Sequence, residues 1–205
     1  MRRTGMLVLM VAGALLAAGV ASADTVTEAM ALAGQAYADG DYKETSTQLQ
    51  AALVGVNQML IDLLIGYLPA PPDDWTADDP EGLDASVIGM GFFAGLTVSR
   101  NYYPPGGSRI ELSVAANSPM LATYRMALAN PMIAQAMGQE GMNKTTTCGY
   151  DSFEEFSDED EIYQLAILAG NATLIMIEGD QPGDGEHVRT IAGALNCAGI
   201  VDLVE

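Results

Sequence analysis

Four residues close together in the sequence could form a metal site. Asp180, Asp184 and Glu186 precede His187, the single histidine of the chain, within seven positions. Carboxylate oxygens are the ligands that Ca²⁺ prefers, and imidazole suits transition metals. The run Asp158 to Glu161 is a second acidic candidate. Neither spacing matches a known calcium loop, and solvated turns, or a helix cap at Asp184, account for the same residues, so both interpretations stay open.

Methionine is concentrated in one segment and offers a different metal chemistry. Thioether sulfur binds Cu(I) in exported proteins. Spacings of six, six, five and five residues do not place neighbours on one helical face, and methionine also fills irregular cores. Copper binding and core packing are both retained for these five residues: Met120, Met126, Met132, Met137 and Met142.

Groups that could act in catalysis are few. No Ser or Cys lies in a recognisable nucleophile motif, and Lys43 and Lys144 are the only lysines. Gly89 to Gly95 resembles a dinucleotide loop, but its last spacing is one residue too long and a strand follows it rather than precedes it. The 27 acidic residues could supply a carboxylate pair for hydrolysis, without indicating which two face each other. We predict no catalytic residue and no cofactor.

The charge of the chain limits its partners. The 27 acidic residues stand against 8 basic ones, a formal net charge of -19. Phosphate contacts require clustered Lys and Arg, so nucleic acid is excluded as a partner. Anionic membrane surfaces are disfavoured for the same reason.

Residues 1–23 have the three-part layout of a cleaved secretory signal. Arg2 and Arg3 precede an apolar run from Met6 to Val20, and Ala21-Ser22-Ala23 provides small residues for cleavage. The run is too short to span a bilayer, so we expect no stable membrane insertion after cleavage. The mature chain keeps six basic residues against 27 acidic ones, a formal charge of -21. We predict a periplasmic or secreted protein.

Export also makes the two cysteines informative. Cys148 and Cys197 can form only one pair, and an oxidising compartment favours a disulfide. A redox pair or a metal thiolate site would need closer spacing or more ligands. We therefore predict a structural disulfide.

Two helical patterns occupy residues 24–70. Val26, Met30, Ala33 and Tyr37 are spaced four, three and four, as on one face of a helix. After Asp39-Gly40-Asp41, the same spacing predicts a longer helix over 41–68, and the two helices would form an antiparallel hairpin. The second series is Leu49, Leu53, Val56, Leu60, Leu63 and Tyr67.

The end of the second helix is apolar on nearly every side. Met59 to Leu68 must be covered by more than its hairpin partner, so it is a candidate surface for a protein partner, as is the glycine-rich Gly89 to Gly95. Asn57, Gln58 and Asp62 argue against a membrane-spanning segment here.

Residues 71–84 predict a stiff, charged linker. Proline cannot continue a helix, and like charges in the run Asp73 to Asp84 extend the chain. Trp75 lies inside this polar run and is predicted to anchor to the domain that follows.

In residues 85–205 the apolar side chains recur at every second position, as is typical of strands, instead of at helical spacing. Alternating apolar residues and turn signals predict strands, and Ser118-Pro119 opens a methionine-rich helix to about Ala129. A final helix begins near Asp184. The fold class is α+β: an N-terminal helical hairpin followed by an antiparallel sheet of about five strands packed with helices. The predicted strands are Leu96 to Tyr103, a strand around Ile110 to Val114, Thr145 to Phe156, Ile162 to Ala169 and Thr173 to Glu178.

Two resemblances follow from these elements. Ala36 to Tyr42 with Ala51-Ala52-Leu53 resembles part of a tetratricopeptide repeat, but no second copy follows, so a peptide-binding solenoid is not expected. The element order over 85–205 resembles the α/β sandwich of PsbP-like and Mog1-like proteins. Together with Leu68-Pro69-Ala70-Pro71 and Trp75-Thr76-Ala77, it also resembles exported bacterial proteins that join a helical hairpin to such a domain. The resemblance implies a binding or accessory role and assigns no site residue.

The sequence thus favours an exported, non-catalytic binding or protein-interaction module. A periplasmic protein that binds divalent cations or copper is the alternative. A hydrolase that uses paired carboxylates ranks third.

Overall fold

The computed structural model describes residues 24–84, 95–118, 120–130, 132, 143–157, 162–181 and 183–205. The predicted signal segment, the acidic run Asp158 to Glu161 and all of Gly89 to Gly95 except Gly95 lie outside these residues. The described residues form two compact units, which divide between Leu60 and Ile61.

The predicted helical hairpin is confirmed. Helix α1 covers residues 24–38 and helix α2 is Tyr42–Ile65. Gly40 adopts a positive φ of 77° in the turn, a conformation that glycine reaches without a steric penalty. The side chain of Asp41 accepts a hydrogen bond from Glu44 N at 3.0 Å, which caps the first turn of α2.

Small residues form most of the contact between the two helices. Ala29, Ala33 and Ala36 of α1 are buried, as is Ala52 of α2. A Cβ atom built on Gly55 would collide with the side chain of Val26, so the two backbones approach closely there. The exposed large side chains of the two predicted series, such as Met30, Tyr37 and Leu53, lie to one side of the contact.

An antiparallel sheet forms most of the second unit. Its order is β1-β3-β4-β8-β7-β6-β5, and β2 also pairs with β3. The α+β class with an antiparallel sheet is confirmed, but the prediction of about five strands is wrong, because eight occur in the described residues. They are β1 (Thr76–Ala77), β2 (Glu81–Asp84), β3 (Leu96–Tyr103), β4 (Ile110–Ala116), β5 (Asn143–Thr147), β6 (Tyr150–Ser157), β7 (Ile162–Ala169) and β8 (Thr173–Gly179).

The additional strands have two origins. β1 and β2 lie within the predicted linker, where they pair with β3. The single strand predicted over Thr145 to Phe156 is a hairpin, because Cys148 and Gly149 both have positive φ, 56° and 84°. Two such residues form the tight turn that joins antiparallel strands. Cysteine seldom adopts this conformation, so the sequence carries only half of the usual turn signal.

Helices cover the central strands. Helix α3 (Met120–Ala129) directs Leu121 and Tyr124 into a cluster with Phe153, Leu168 and Leu174. The methionine-rich helix is therefore one cover of the sheet. Helix α4 (Gly185–Gly193) packs on β7 and β8.

The predicted final helix is two helices. After α4, Leu195 and Asn196 leave the helical conformation, and α5 (Cys197–Val204) begins. The Asn196 side chain accepts a hydrogen bond from Gly199 N at 3.0 Å, the N-cap arrangement that starts α5.

Candidate functional site

The acidic segment before α4 is organised around Asp184. This residue is only 2% exposed. Its Oδ2 atom accepts a hydrogen bond from Gln181 N at 3.0 Å, and its Oδ1 atom lies 3.1 Å from His187 Nδ1. Asp184 precedes α4 without a capping bond from its side chain, so the cap anticipated there is not formed. Its carboxylate instead holds the turn and the histidine.

The neighbours of Asp184 have structural partners as well. Asp180 accepts a hydrogen bond from Arg109 N at 2.9 Å, which ties the end of β8 to the start of β4. The His187 ring meets Trp75 edge to face, with 5.2 Å between ring centroids. Trp75 thus contacts the following domain, as predicted for an anchor. In the described part of the chain, no group of three or more His, Cys, Asp or Glu side chains is placed to hold a metal ion.

The methionine segment does not present one surface in the residues that are described. Met120, Met126 and Met132 are exposed, whereas Leu121 and Tyr124 of the same helix are buried. The buried side of α3 therefore uses leucine and tyrosine rather than methionine. Met137 and Met142 lie outside the described residues.

A polar network that sequence reasoning missed joins α4 to the sheet. Arg189 donates two hydrogen bonds to Glu154, at 3.1 and 3.0 Å, and a third to the Tyr163 hydroxyl at 2.7 Å. Tyr163 in turn donates to Glu154 at 2.7 Å. The hydrogen bond from Arg189 lowers the pKa of Glu154, and burial raises the pKa of Tyr163 to about 12. Each of these polar side chains is hydrogen-bonded to the other two, so the network fixes α4 to β6 and β7. We call these three residues, Glu154, Tyr163 and Arg189, the brace on α4.

A second network fixes the segment after α2 to the sheet. Tyr102 donates a hydrogen bond to Pro69 O at 2.8 Å, and Arg100 donates to the same oxygen at 3.2 Å. Arg100 also donates to Asp78 O at 2.9 Å, and Tyr103 donates to the Asp78 carboxylate at 2.8 Å. Burial raises the pKa of Tyr102 to about 12, so this hydroxyl remains a donor in ordinary buffers.

The predicted disulfide is confirmed. Cys148 and Cys197 are bonded, with 6.1 Å between their Cα atoms and a sequence separation of 49. The bond joins the turn between β5 and β6 to the first residue of α5. A disulfide of this kind is compatible with an oxidising, exported location.

One side of the hairpin exposes a row of large apolar side chains. Met30 follows the buried Ala29, and Leu53 follows the buried Ala52; these two large side chains are 59% and 57% exposed. A step of one residue turns a helix by 100° in the same sense. Because the helices are antiparallel, equal turns from the shared contact bring both rows to the same side.

We call this surface the hairpin face. Edge-to-face contact between Tyr37 and Tyr42, at 6.0 Å between ring centroids, joins the two rows at the turn. Single exposed apolar residues are normal on proteins, whereas contiguous ones mark sites of interaction. The hairpin face consists of Met30, Tyr37, Tyr42, Leu49, Leu53 and Val56.

Acidic residues lie near the turn of the hairpin. A cavity of about 260 Å³, lined by none of the hairpin-face residues, is bounded by Leu32 and Gln35 together with Asp39, Asp41 and Glu44. Residues 24–60 contain five acidic residues and one basic residue, Lys43. A cationic group is therefore the favoured neighbour of this end of the hairpin.

Helix α2 also has the length and the hydropathy of a membrane-spanning helix. Among the described residues it is the one helix that is long and apolar enough to cross a membrane by length and composition alone. In its most apolar stretch of 18 residues, 17% is buried. Its second half nevertheless carries Asn57, Gln58 and Asp62.

The surface predicted at Met59 to Leu68 is largely used within the protein. Ile61, Leu64 and Leu68 are buried, which leaves Leu63 as its exposed large apolar side chain. A Cβ atom built on Gly82 of β2 would collide with Ile61, so this end of α2 packs against β2.

Comparison with known proteins gives no relative. No protein-family model, no curated protein and no solved structure matches this chain.

Proposed function

We propose that the mature protein is an exported, non-catalytic interaction module, periplasmic or secreted, which binds an amphipathic helix of a partner protein on the hairpin face. The observation that carries this proposal is the row of six exposed large apolar side chains on one side of α1 and α2. Burial of such side chains stabilises association by the hydrophobic effect.

The shape of the surface favours a helix as the ligand. Ala29, Ala33 and Ala36 are small and buried, so we expect a shallow groove between the two rows of larger exposed side chains. An amphipathic helix fills such a groove with apolar residues at positions i, i+3, i+4 and i+7.

Charge favours a basic partner. Residues 24–60 carry five acidic residues against one basic residue, so their field attracts a partner helix with Lys or Arg on its polar side. A second copy of the chain would bring the same acidic residues together, and like charges oppose that pairing.

A titration with designed peptides tests the proposal. The probe is a fluorescent helical peptide of leucine and lysine with leucine at i, i+3, i+4 and i+7; a peptide of the same composition with scrambled spacing and one with glutamate in place of lysine are the comparisons. We expect the lysine peptide to bind most tightly. The double variant Leu49→Gln, Leu53→Gln should weaken its binding by about tenfold or more, since central apolar contacts dominate such interfaces.

The chain offers a matched control. Val54 is also exposed on α2, but it follows Leu53 by one residue and so points away from the hairpin face. Val54→Gln should leave the affinity unchanged. Equal binding by the Leu49, Leu53 double variant, equal binding of the scrambled peptide, or preferential self-association or vesicle binding through this face would each contradict the proposal.

A further inference from the structure

A cavity between α3 and the β5–β6 hairpin concentrates positive charge in an otherwise acidic protein. The cavity has a volume of about 490 Å³, and Arg125 and Lys144 both line it. The mature chain has only six basic residues against 27 acidic ones, so two cations at one cavity are a marked local departure from its net charge.

We propose that this cavity binds a small organic monocarboxylate with an apolar body. Arg125 and Lys144 would neutralise the carboxylate, and Leu128 and Leu168 would contact the apolar part. The volume lies within the range of about 300–1,000 Å³ that is usual for small-molecule sites. This inference does not depend on the hairpin face.

Arg125 is already held in place. Its guanidinium donates a hydrogen bond to Gly170 O in the turn between β7 and β8. A guanidinium has five N–H donors, and this bond uses one of them. The side chain is thus oriented with donors left over, and the planar donor set suits a carboxylate.

Lys144 forms an exposed ion pair with Asp151, and this pair leaves its ammonium group accessible to a ligand. Its Nζ atom lies 3.1 Å from Asp151 Oδ1, and both side chains are more than half exposed. Exposed ion pairs contribute about 0–1 kcal/mol, so a ligand carboxylate can compete for or share the ammonium group.

The balance of charges selects the class of ligand. Among the residues that line the cavity, two cations and the carboxylate of Asp151 leave one net positive charge. A monoanion matches that charge, whereas a dianion such as phosphate would bring an excess of negative charge close to Asp151.

Apolar residues form the other wall. Leu168 of β7 is buried in the same cluster as Leu121 and Tyr124, and Leu128 packs against that cluster. The wall is therefore fixed by the core, and it can remove an apolar ligand body from water.

Nuclear magnetic resonance of the oxidised mature protein tests this site with octanoate as the probe. Acetate lacks the apolar body and 1-octanol lacks the charge, so both serve as comparisons. We expect octanoate to shift the amide signals of Gly149, Tyr150 and Leu168, and to bind more tightly than either comparison. Arg125→Gln and Lys144→Gln should each raise the dissociation constant of octanoate by about tenfold.

Two controls separate binding from folding. Arg109→Gln removes a cation that lines a different cavity, with Glu111 and Asp180, and should leave octanoate binding unchanged. Lys144 is exposed, so Lys144→Gln tests the site even if Arg125→Gln loosens the turn at Gly170. Octanoate shifts on the hairpin face instead of the cavity, unchanged affinity in Lys144→Gln, or no shift at millimolar octanoate would overturn the proposal.

Discussion

Tyr37 near the end of α1 and Tyr42 at the start of α2 meet edge to face, with 6.0 Å between ring centroids and 65° between ring planes. Both rings are exposed, so their contact does not extend the buried core. It places the apolar rows of two successive helices on one side of the hairpin. The surface is therefore continuous across the turn, as binding of a partner helix requires.

The hairpin face should contribute to binding without contributing much to folding. Leu53 is exposed, so Leu53→Gln should change the free energy of unfolding by less than about 0.5 kcal/mol. Leu64, on the same helix, is 1% exposed, and Leu64→Ala should cost about 2–5 kcal/mol. Urea denaturation of the two variants measures the contrast. A Leu53 variant as unstable as the Leu64 variant would show that Leu53 is a core residue.

Removal of the disulfide should destabilise the oxidised protein. The bond closes a loop with a sequence separation of 49, and constraining such a loop in the unfolded chain stabilises the fold by about 2–4 kcal/mol. The double variant Cys148→Ser, Cys197→Ser should therefore unfold at lower denaturant, and reductant should shift the wild type towards it. The same midpoint for the oxidised wild type and the double variant would show that the bond contributes no stability.

The brace on α4 predicts an acid-dependent loss of stability. Hydrogen bonding from Arg189 lowers the pKa of Glu154 from its ordinary value of 4.5. Because the folded-state pKa is below the unfolded one, this contribution is complete above the unfolded value and is lost as pH falls through the folded value.

Glu154→Gln should accordingly destabilise the protein near neutral pH and have less effect in acid. Arg189 is 56% exposed, so solvent screening limits the loss to about 1 kcal/mol. Chemical denaturation of the wild type and the variant, near neutral pH and in acid, measures this loss of unfolding free energy. The control is Glu186→Gln, because Glu186 is an exposed acidic residue of α4. A loss of equal size at both pH values would exclude the ion pair as its cause.

The turn between β5 and β6 depends on backbone conformation alone. Gly149 has a φ of 84°, and no atom lies within 4 Å of a Cβ built on it. Gly149→Ala should therefore lower the free energy of unfolding by about 1–2 kcal/mol, because alanine is strained at this positive φ and not because its Cβ collides with another atom. Gly193 in α4 also has open space but no positive φ, so Gly193→Ala should be neutral or stabilising. Thermal unfolding of both variants distinguishes conformational strain from a general intolerance of alanine.

Periodicity in the sequence predicted the helices but only part of the side that is buried. In the predicted series, Ala33 is buried and Val26 packs on Gly55, whereas Met30 and Tyr37 are exposed. The remaining contact is made by Ala29 and Ala36. Alanine is a weak signal in a hydrophobic pattern because it is small, although its size is what lets two helices approach. The pairing of helices can thus be predicted from spacing, whereas the exposed face is found only once the close contact is known.

A strand hairpin could be predicted where its turn contains residue types that favour turns. Pro104 to Gly107, residue types that favour a turn, join β3 to β4, and β3 has the bounds predicted for it, Leu96–Tyr103. The turn at Cys148 was missed because a positive φ at cysteine has no compositional signal. The pairing of Cys148 with Cys197 was accessible because only one pair can form.

The candidate sites depended on contacts that are distant in sequence. Arg125 and Lys144 stand on different elements, and only the packing of α3 against the β5–β6 hairpin brings them to one cavity. Asp180 and Asp184, which are close in sequence, instead bond to Arg109 and Gln181. Proximity along the chain was therefore a poor guide to a shared site.

Site-specific crosslinking tests the role of the hairpin face most directly. A photoreactive amino acid is placed at position 53 or at position 54 in the full chain, which is expressed in its native host and illuminated. The crosslinked segment is then located by mass spectrometry. We expect adducts from position 53, and not from position 54, to lie on one partner helix with an apolar side and Lys or Arg on its polar side. Equal adducts from both positions, or adducts from position 53 only to a second copy of the chain, would contradict the account.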